Sequence, residues 1–280
     1  MKTYSISFWN LLILSFLFIC VSACGSDDNA PLPMDDDPMM VDDDSDDEPA
    51  PPQQISLPTL VEVTSIGSMQ SFEIVLEYDE ENRPNQFTTT NLESGDISRT
   101  TLTYNSEGMI VSVLDEEIEP SPFSTELQFT YEDGIVTNIM SIIDGGAPIT
   151  FAVDHDAVTN TYSFNNGGEQ VFAFDEENNL VSYTASGVTR LSILHNSDNP
   201  GIVSGLTSQI ALGITLGDIR DILAFGLYYF STLQIESITV SDTMVEVNTS
   251  YTEGILTGAE IENMGEITGR STITYESFDL

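Results

Sequence analysis

One pattern constrains the fold of this chain more than any other. An alternating, strand-like run ends in an aromatic residue, a short polar turn follows, and the unit returns. Phe72–Tyr78 (FEIVLEY) leads into Asp79–Arg83, Thr101–Tyr104 into Asn105–Gly108, and Leu127–Tyr131 into Glu132–Gly134. Phe172–Phe174 leads into Asp175–Asn179, and Val245–Tyr251 into Thr252–Gly254. Alternating runs follow most of these turns, at 109–114, 135–139, 180–185 and 255–261. Weaker copies at Phe151–Asp154 and Leu191–Asn196 put the marker positions at 78, 104, 131, 153, 174 and 195, with Tyr251 and Tyr275 completing the series. Period-two alternation broken by Gly, Asn and Asp turns is the pattern of β-hairpins. Gly108, Gly134 and Gly254 suit positive-φ turn positions, which Asn82 and Asn179 also tolerate.

Alternation assigns the faces. Ile74, Leu76, Tyr78, Leu102, Tyr104, Leu127, Phe129, Tyr131, Val245, Val247 and Tyr251 share one face. Glu73, Glu77, Thr101, Thr103, Gln128, Thr130, Glu246 and Asn248 share the other. Burying each large apolar side chain contributes roughly 1.5–3 kcal/mol, so a sheet with one greasy face must curl on itself or find a cover. The stretch 201–230 is the best cover: Leu206, Ile210, Ile214, Ile219, Ile222, Leu223 and Phe225 are apolar among few charges. Within it, Asp218–Leu223 reads as a short helix. The expected fold is mainly all-β: a large curled antiparallel sheet or meander of hairpin repeats, with one short helical or loop segment at about 202–230 packed as a lid. The alternative is an exposed apolar patch for a partner.

The copies resemble YD repeats, in which tyrosine–aspartate precedes a Gly-Arg-like turn. Tyr78-Asp79-Glu80-Glu81-Asn82-Arg83 matches best, with Asn82 in place of Gly. They are more similar still to the hairpin-repeat lipoproteins of unknown function found in Bacteroidota. That resemblance spans roughly 60–280 except 202–230. It implies a large antiparallel sheet and supplies no catalytic residues.

The N-terminus reads as an address. Leu11–Ile19 is an apolar run too short for a comfortable membrane span, after a single Lys2. Val21-Ser22-Ala23-Cys24 resembles the bacterial lipobox, which implies cleavage between Ala23 and Cys24 and acylation of Cys24. Several acyl chains, at about 0.8 kcal/mol per buried CH₂, make a firm anchor. Ser26, Asp27 and Asp28 resemble the export signal of Bacteroidota surface lipoproteins, implying an outer-membrane protein facing the medium; a periplasm-facing position is the alternative. Residues 1–23 are therefore the signal peptide. Residues 24–58 form the lipidated Cys and a disordered acidic, Pro-rich tether, and 59–280 form a single β-hairpin-repeat domain. Residues 25–54 hold ten Asp, Glu48 and no basic residue, and seven of the 12 prolines lie within 31–58. Like charges and prolines favour an extended, solvated chain.

Charge excludes several functions. The whole chain has six Lys+Arg against 46 Asp+Glu, and Lys2 leaves with the signal. Nucleic acid needs a cationic face and is excluded as a partner. Electrostatic docking on anionic lipid is disfavoured too. Such self-repulsion suggests a saline or divalent-rich habitat.

Little in the sequence carries catalysis. Cys20 lies in the signal and Cys24 is the anchor, which leaves no thiol for a disulfide, a metal or a nucleophile. His155, in Asp154-His155-Asp156, reads as a solvated turn residue; His195, at a marker position, reads as a structural imidazole. Neither has zinc-site spacing. Gly201-Ile202-Val203-Ser204-Gly205 has the wrong spacing for a serine nucleophile. The acidic triplets 79–81, 115–117 and 175–177 are read as turn carboxylates rather than a glycosidase pair. Calcium on acidic turns is the one cofactor suggested; the tether runs Asp35–Asp37 and Asp42–Asp44 also invite it, but no D-x-D-x-D-G loop with a closing Glu preorganises them, and a solvated spacer is the simpler reading. Tyr183, Tyr228 and Tyr229 are candidates for sugar stacking, with core packing as the simpler role. Asp242-Thr243-Met244 resembles a Bacteroidota O-glycosylation acceptor, with Thr243 the modified residue.

The expected function is a non-enzymatic, surface-anchored interaction or envelope-structural module. It would be held to the membrane through Cys24 and would bind an unknown protein or glycan partner. The alternatives are a glycan-processing accessory or hydrolase with a cleft between sheet and lid, and a carrier of a small apolar ligand beneath the lid.

Overall fold

The computed structural model describes residues 54–66, 71–200, 210–218, 232–240, 242–252 and 255–279. Strands β1 (Gln54–Ser65), β2 (Phe72–Tyr78), β3 (Pro84–Asn91), β4 (Ile97–Tyr104), β5 (Ile110–Glu119), β6 (Phe123–Glu132) and β7 (Ile135–Ile143) form a meander. Short strands β8 (Ile149–Ala152) and β9 (Asp154–Asp156) follow, then β10 (Thr161–Asn165), β11 (Glu169–Phe174), β12 (Leu180–Ala185) and β13 (Val188–Pro200). Helix α1 (Ile210–Asp218) comes next, and β14 (Leu233–Val240), β15 (Thr243–Thr252), β16 (Ile255–Asn263) and β17 (Glu266–Asp279) complete the order.

Each strand pairs antiparallel with a chain neighbour, and one further pairing closes the sheet. β1 pairs with β17 from Gln54↔Asp279 to Ser65↔Gly269. At the opposite seam, β8 pairs with β7 while β9 pairs with β10. Val153 joins β8 to β9 and donates its N–H to the Thr137 carbonyl at 2.9 Å. The result is one 17-stranded, nearly closed barrel-like wall. Gln54–Pro58, placed in the tether by composition, belong to β1: pairing with β17 supplies the ladder partners that local sequence cannot reveal.

The greasy face turns inward. Val61, Ile74, Leu76, Leu102, Val113, Leu127, Phe129, Ile139, Phe172, Ile193, Val247 and Ile261 are buried in one core. Their outward neighbours are polar, among them Glu62, Glu73, Glu77, Gln128, Glu246 and Glu262. Tyr251 departs from its assigned face: the register slips between Ser250 and Tyr251, and the ring is exposed. A barrel of about 16 strands is wider than its own side chains can fill. Helix α1 supplies the filling. Residues 210–215 are all buried, as suits a helix apolar all round. It packs on β5 at one side and on β11 and β12 at the other, so it sits inside the wall. At Gly213 an added Cβ would lie 2.5 Å from a ring carbon of Phe174 and 3.3 Å from Leu180 Cβ. The described part of the lid, α1, therefore packs on the apolar face as expected; 202–209 and 219–230, with the helix expected at 218–223 but for Asp218, lie outside the described residues, as does Gly254.

Alternation of strand direction gives the barrel two ends. One carries Gln54, Asp279, Tyr78, Tyr104, Tyr131 and the turns that follow those tyrosines. The other, the far end, carries the turns after β3, β5, β7, β12 and β16.

Candidate functional site

The repeat is built by one recurring set of hydrogen bonds at the tyrosine end. Asp79 Oδ1 accepts from the N–H of Glu81 at 3.0 Å and of Arg83 at 2.9 Å. Asn105 Oδ1 accepts from Glu107 and Met109 in the same way, and Asp175 Oδ1 from Glu177 and Asn179. The fourth residue of each turn has positive φ: Asn82 at 61°, Gly108 at 81° and Asn178 at 64°. In the third copy this role falls to Asn178, one residue before the Asn179 expected from sequence. Asn179 is buried instead, and its Nδ2 donates to Asp175 Oδ2 at 2.9 Å. Arg83 Nε does the equivalent at 2.8 Å on Asp79, and its guanidinium lies 4.5 Å over the Tyr104 ring. Gly134, with φ 80°, fills its expected turn position.

The tyrosines tie successive hairpins together. Tyr78 donates its hydroxyl to the Pro58 carbonyl at 2.6 Å, Tyr104 to Pro84 at 2.7 Å, and Tyr131 to Ile110 at 2.7 Å. Each spans 20 or 21 residues. Burial raises the pKa of all three phenols above the ordinary 10.0.

The two histidines are structural. His195 takes the marker position beside Asp175, with Nδ1 3.9 Å from Asp175 Oδ2. That is too long for a hydrogen bond. Burial lowers its pKa from 6.5 to about 4, against an opposing pull from Asp175. His155 is not a solvated turn residue: it lies in β9 and stacks on Tyr162 with centroids 4.3 Å apart. Tyr183 packs in the core, stacked on Phe172, with its hydroxyl donating to Gln170. Tyr228 and Tyr229 lie outside the described residues, as do Ala23, Cys24, Ser26, Asp27, Asp28 and residues 201–205. Thr243 opens β15, after Asp242 at φ 105°. Among the described residues no group of three or more His, Cys, Asp and Glu is arranged to hold a metal ion.

Asp115 is the residue whose placement sequence reasoning misses. The triplet 115–117 lies within β5 rather than a turn. Asp115 follows inward-facing Val113 by two, so the same alternation that places the core also points its carboxyl inside. It is 6% exposed, and Thr100 Oγ1 donates to its Oδ1 at 3.0 Å. Burial is the largest influence and raises its pKa from 3.8 to about 6; the Thr100 hydrogen bond opposes, and Glu116 and Glu117 reinforce.

No family model matches the chain, and no curated protein matches it. Among solved structures, a porin-like protein from Bacteroides uniformis aligns over 78% of this chain and 98% of its own, at 12% identity and TM-score 0.37. A porin-like protein from Bacteroides vulgatus aligns over 78% and 99%, at 12% identity and TM-score 0.38. Likeness at that level carries no inference about function.

Proposed function

We propose that the protein is a non-enzymatic, lipid-anchored outer-membrane lipoprotein whose barrel serves as an interaction or envelope-structural module facing the cell exterior. The observation that carries this reading is the direction of the wall. A membrane-spanning barrel needs an apolar outer band about 25 Å tall. Here the outward positions carry carboxylates in mid-strand, such as Glu126 and Glu246, while the inward ones are apolar and form one core with α1. Such a wall belongs in water, so membrane attachment falls to Cys24. Among the described residues no helix is long and apolar enough to cross a membrane. Gln54 leaves the barrel beside Asp279, so a chain from Cys24 reaches one end only.

The carrier reading beneath the lid is weakened by the closed contact of Gly213 with Phe174. The test is mass spectrometry of the mature N-terminus together with protease shaving of intact cells. Acyl mass on Cys24, and barrel peptides released from intact cells, support the reading. A free amine at another residue overturns the anchor. A chain left whole on intact cells but cut in lysates overturns the outward position.

A further inference from the structure

The inner face is not uniformly closed. Thr100, Asp115, Thr125 and Ile143 form one cross-strand row over β4 to β7. Along it the wall passes from buried, with Thr100 3% and Asp115 6% exposed, to open, with Ile143 51% exposed. The next row toward the tyrosine end runs from Leu127 through Ser141, 8% exposed, to Ile149, 56% exposed. The next row toward the far end joins Ser98, Glu117 and Phe123, the last 45% exposed. All these residues share the inward side of their strands. Three exposed apolar side chains thus line the open edge of a recess whose depth is polar.

The depth carries unused hydrogen-bonding capacity. Asp115 Oδ1 accepts from Thr100, while Oδ2 has no donor among the described residues. The hydroxyls of Ser98 and Ser141 likewise make no hydrogen bond there. None of these three atoms is among the fully buried side-chain atoms that lack a partner, so solvent, and with it a guest, can reach them. The neighbouring charges, Glu116 and Glu117, are both negative. An anionic guest is repelled, and a neutral apolar one leaves the carboxyl unpaired at a cost. Two inward carboxylates, Asp115 and Glu117, among hydroxyls are also too few charged ligands for calcium.

We propose that this recess binds a small amphiphilic amine. Its ammonium sits on Asp115 Oδ2 among the hydroxyls, and its apolar stem lies along Phe123, Ile143 and Ile149. The site does not depend on acylation or on which leaflet carries the protein.

The test uses the mature chain, residues 24–280, with Cys24→Ser to keep probes out of detergent and lipid. n-Octylamine, n-octanol and octanoate are titrated by calorimetry at pH 7.5 and moderate salt. Octylamine should bind at least tenfold tighter than the other two. Asp115→Asn should remove that tenfold preference and leave octanol unchanged, whereas Ile149→Ser should weaken octylamine and octanol together. Glu246→Gln on the outer wall should change nothing. The Ile143 and Ile149 methyl resonances should shift with octylamine while that of Ile214 stays still, a readout that needs no variant. Equal binding of octanol and octylamine, or shifts spread over the outer wall, would overturn the proposal. So would an Asp115→Asn chain that is folded by circular dichroism yet binds octylamine unchanged.

Discussion

The hydroxyl of Tyr104 donates to the carbonyl of Pro84 at 2.7 Å, binding the end of β4 to the start of β3. The same bond recurs 26 residues earlier between Tyr78 and Pro58, so it belongs to the repeat rather than to one site. Tyr104→Phe keeps the ring and leaves the carbonyl without its donor. The expected loss is about 1–2 kcal/mol, read from urea unfolding with an unchanged m-value. Because burial holds these phenols protonated, the folded chain keeps protons that the unfolded chain gives up near pH 10. Stability should therefore fall as pH rises above about 10, and the triple Phe variant should lose most of that fall.

Asp115 gives a second pH signature. Its folded pKa of about 6 lies above the ordinary 3.8, so the folded state holds the extra proton between those values. Its influence on stability is neutral below pH 3.8 and grows unfavourable as pH climbs through 6. At neutral pH the cost approaches about 3 kcal/mol. Asp115→Asn should raise stability at pH 7.5 and leave it nearly unchanged at pH 3.5. A variant-minus-parent difference that is flat with pH would contradict this.

His195 works in the opposite direction over almost the same range. Its folded pKa of about 4 lies below 6.5, so the unfolded chain binds the extra proton. Stability is complete above 6.5 and is lost as pH falls toward 4, by up to about 3 kcal/mol. The two groups largely offset each other in the native protein. His195→Phe should uncover the falling slope of Asp115, and Asp115→Asn the rising slope of His195.

Much of this was legible in the residues. The inward set Ile74, Leu76, Leu102, Leu127 and Phe129 follows from alternation, and the positive φ of Asn82, Gly108 and Gly134 from turn chemistry. Closure was not legible, because Gln54 meets Asp279 across almost the whole barrel and no local signal marks so distant a pairing. The helix at Ile210–Asp218 was not legible because an apolar run without a polar face shows no amphipathic period; the helix expected at 218–223 lies, Asp218 apart, outside the described residues. IALGITLGD is apolar all round and belongs inside. Asp115 was hidden by its acidic neighbours, although counting two residues on from Val113 places it inside.

Gly213 tests the internal position of α1. Alanine normally favours a helix by about 1 kcal/mol over glycine. Here its methyl would meet Phe174 at 2.5 Å. Overpacking of this kind costs about 1–3 kcal/mol, so Gly213→Ala should destabilise the barrel and Gly213→Val more so. A stabilised Gly213→Ala chain in thermal denaturation would place the helix elsewhere.

The outer wall contains carboxylates directly opposite each other, Glu62 with Glu73 and Glu246 with Glu262. Like charges so placed are destabilising by roughly 0.2–1 kcal/mol. Glu262→Gln should raise the thermal midpoint in low salt, and the gain should shrink as salt is added. An equal gain at every ionic strength would point to propensity rather than repulsion.

The pairing of β1 with β17 has a consequence for how the molecule comes into being. Its opening ribbon must wait, with one margin bare, until the last ribbon of the wall has been synthesised and delivered. Bare margins of this kind invite pairing with other chains. A chaperone that shields that margin, or delivery of the whole polypeptide before it folds, would protect every newly made copy from its neighbours.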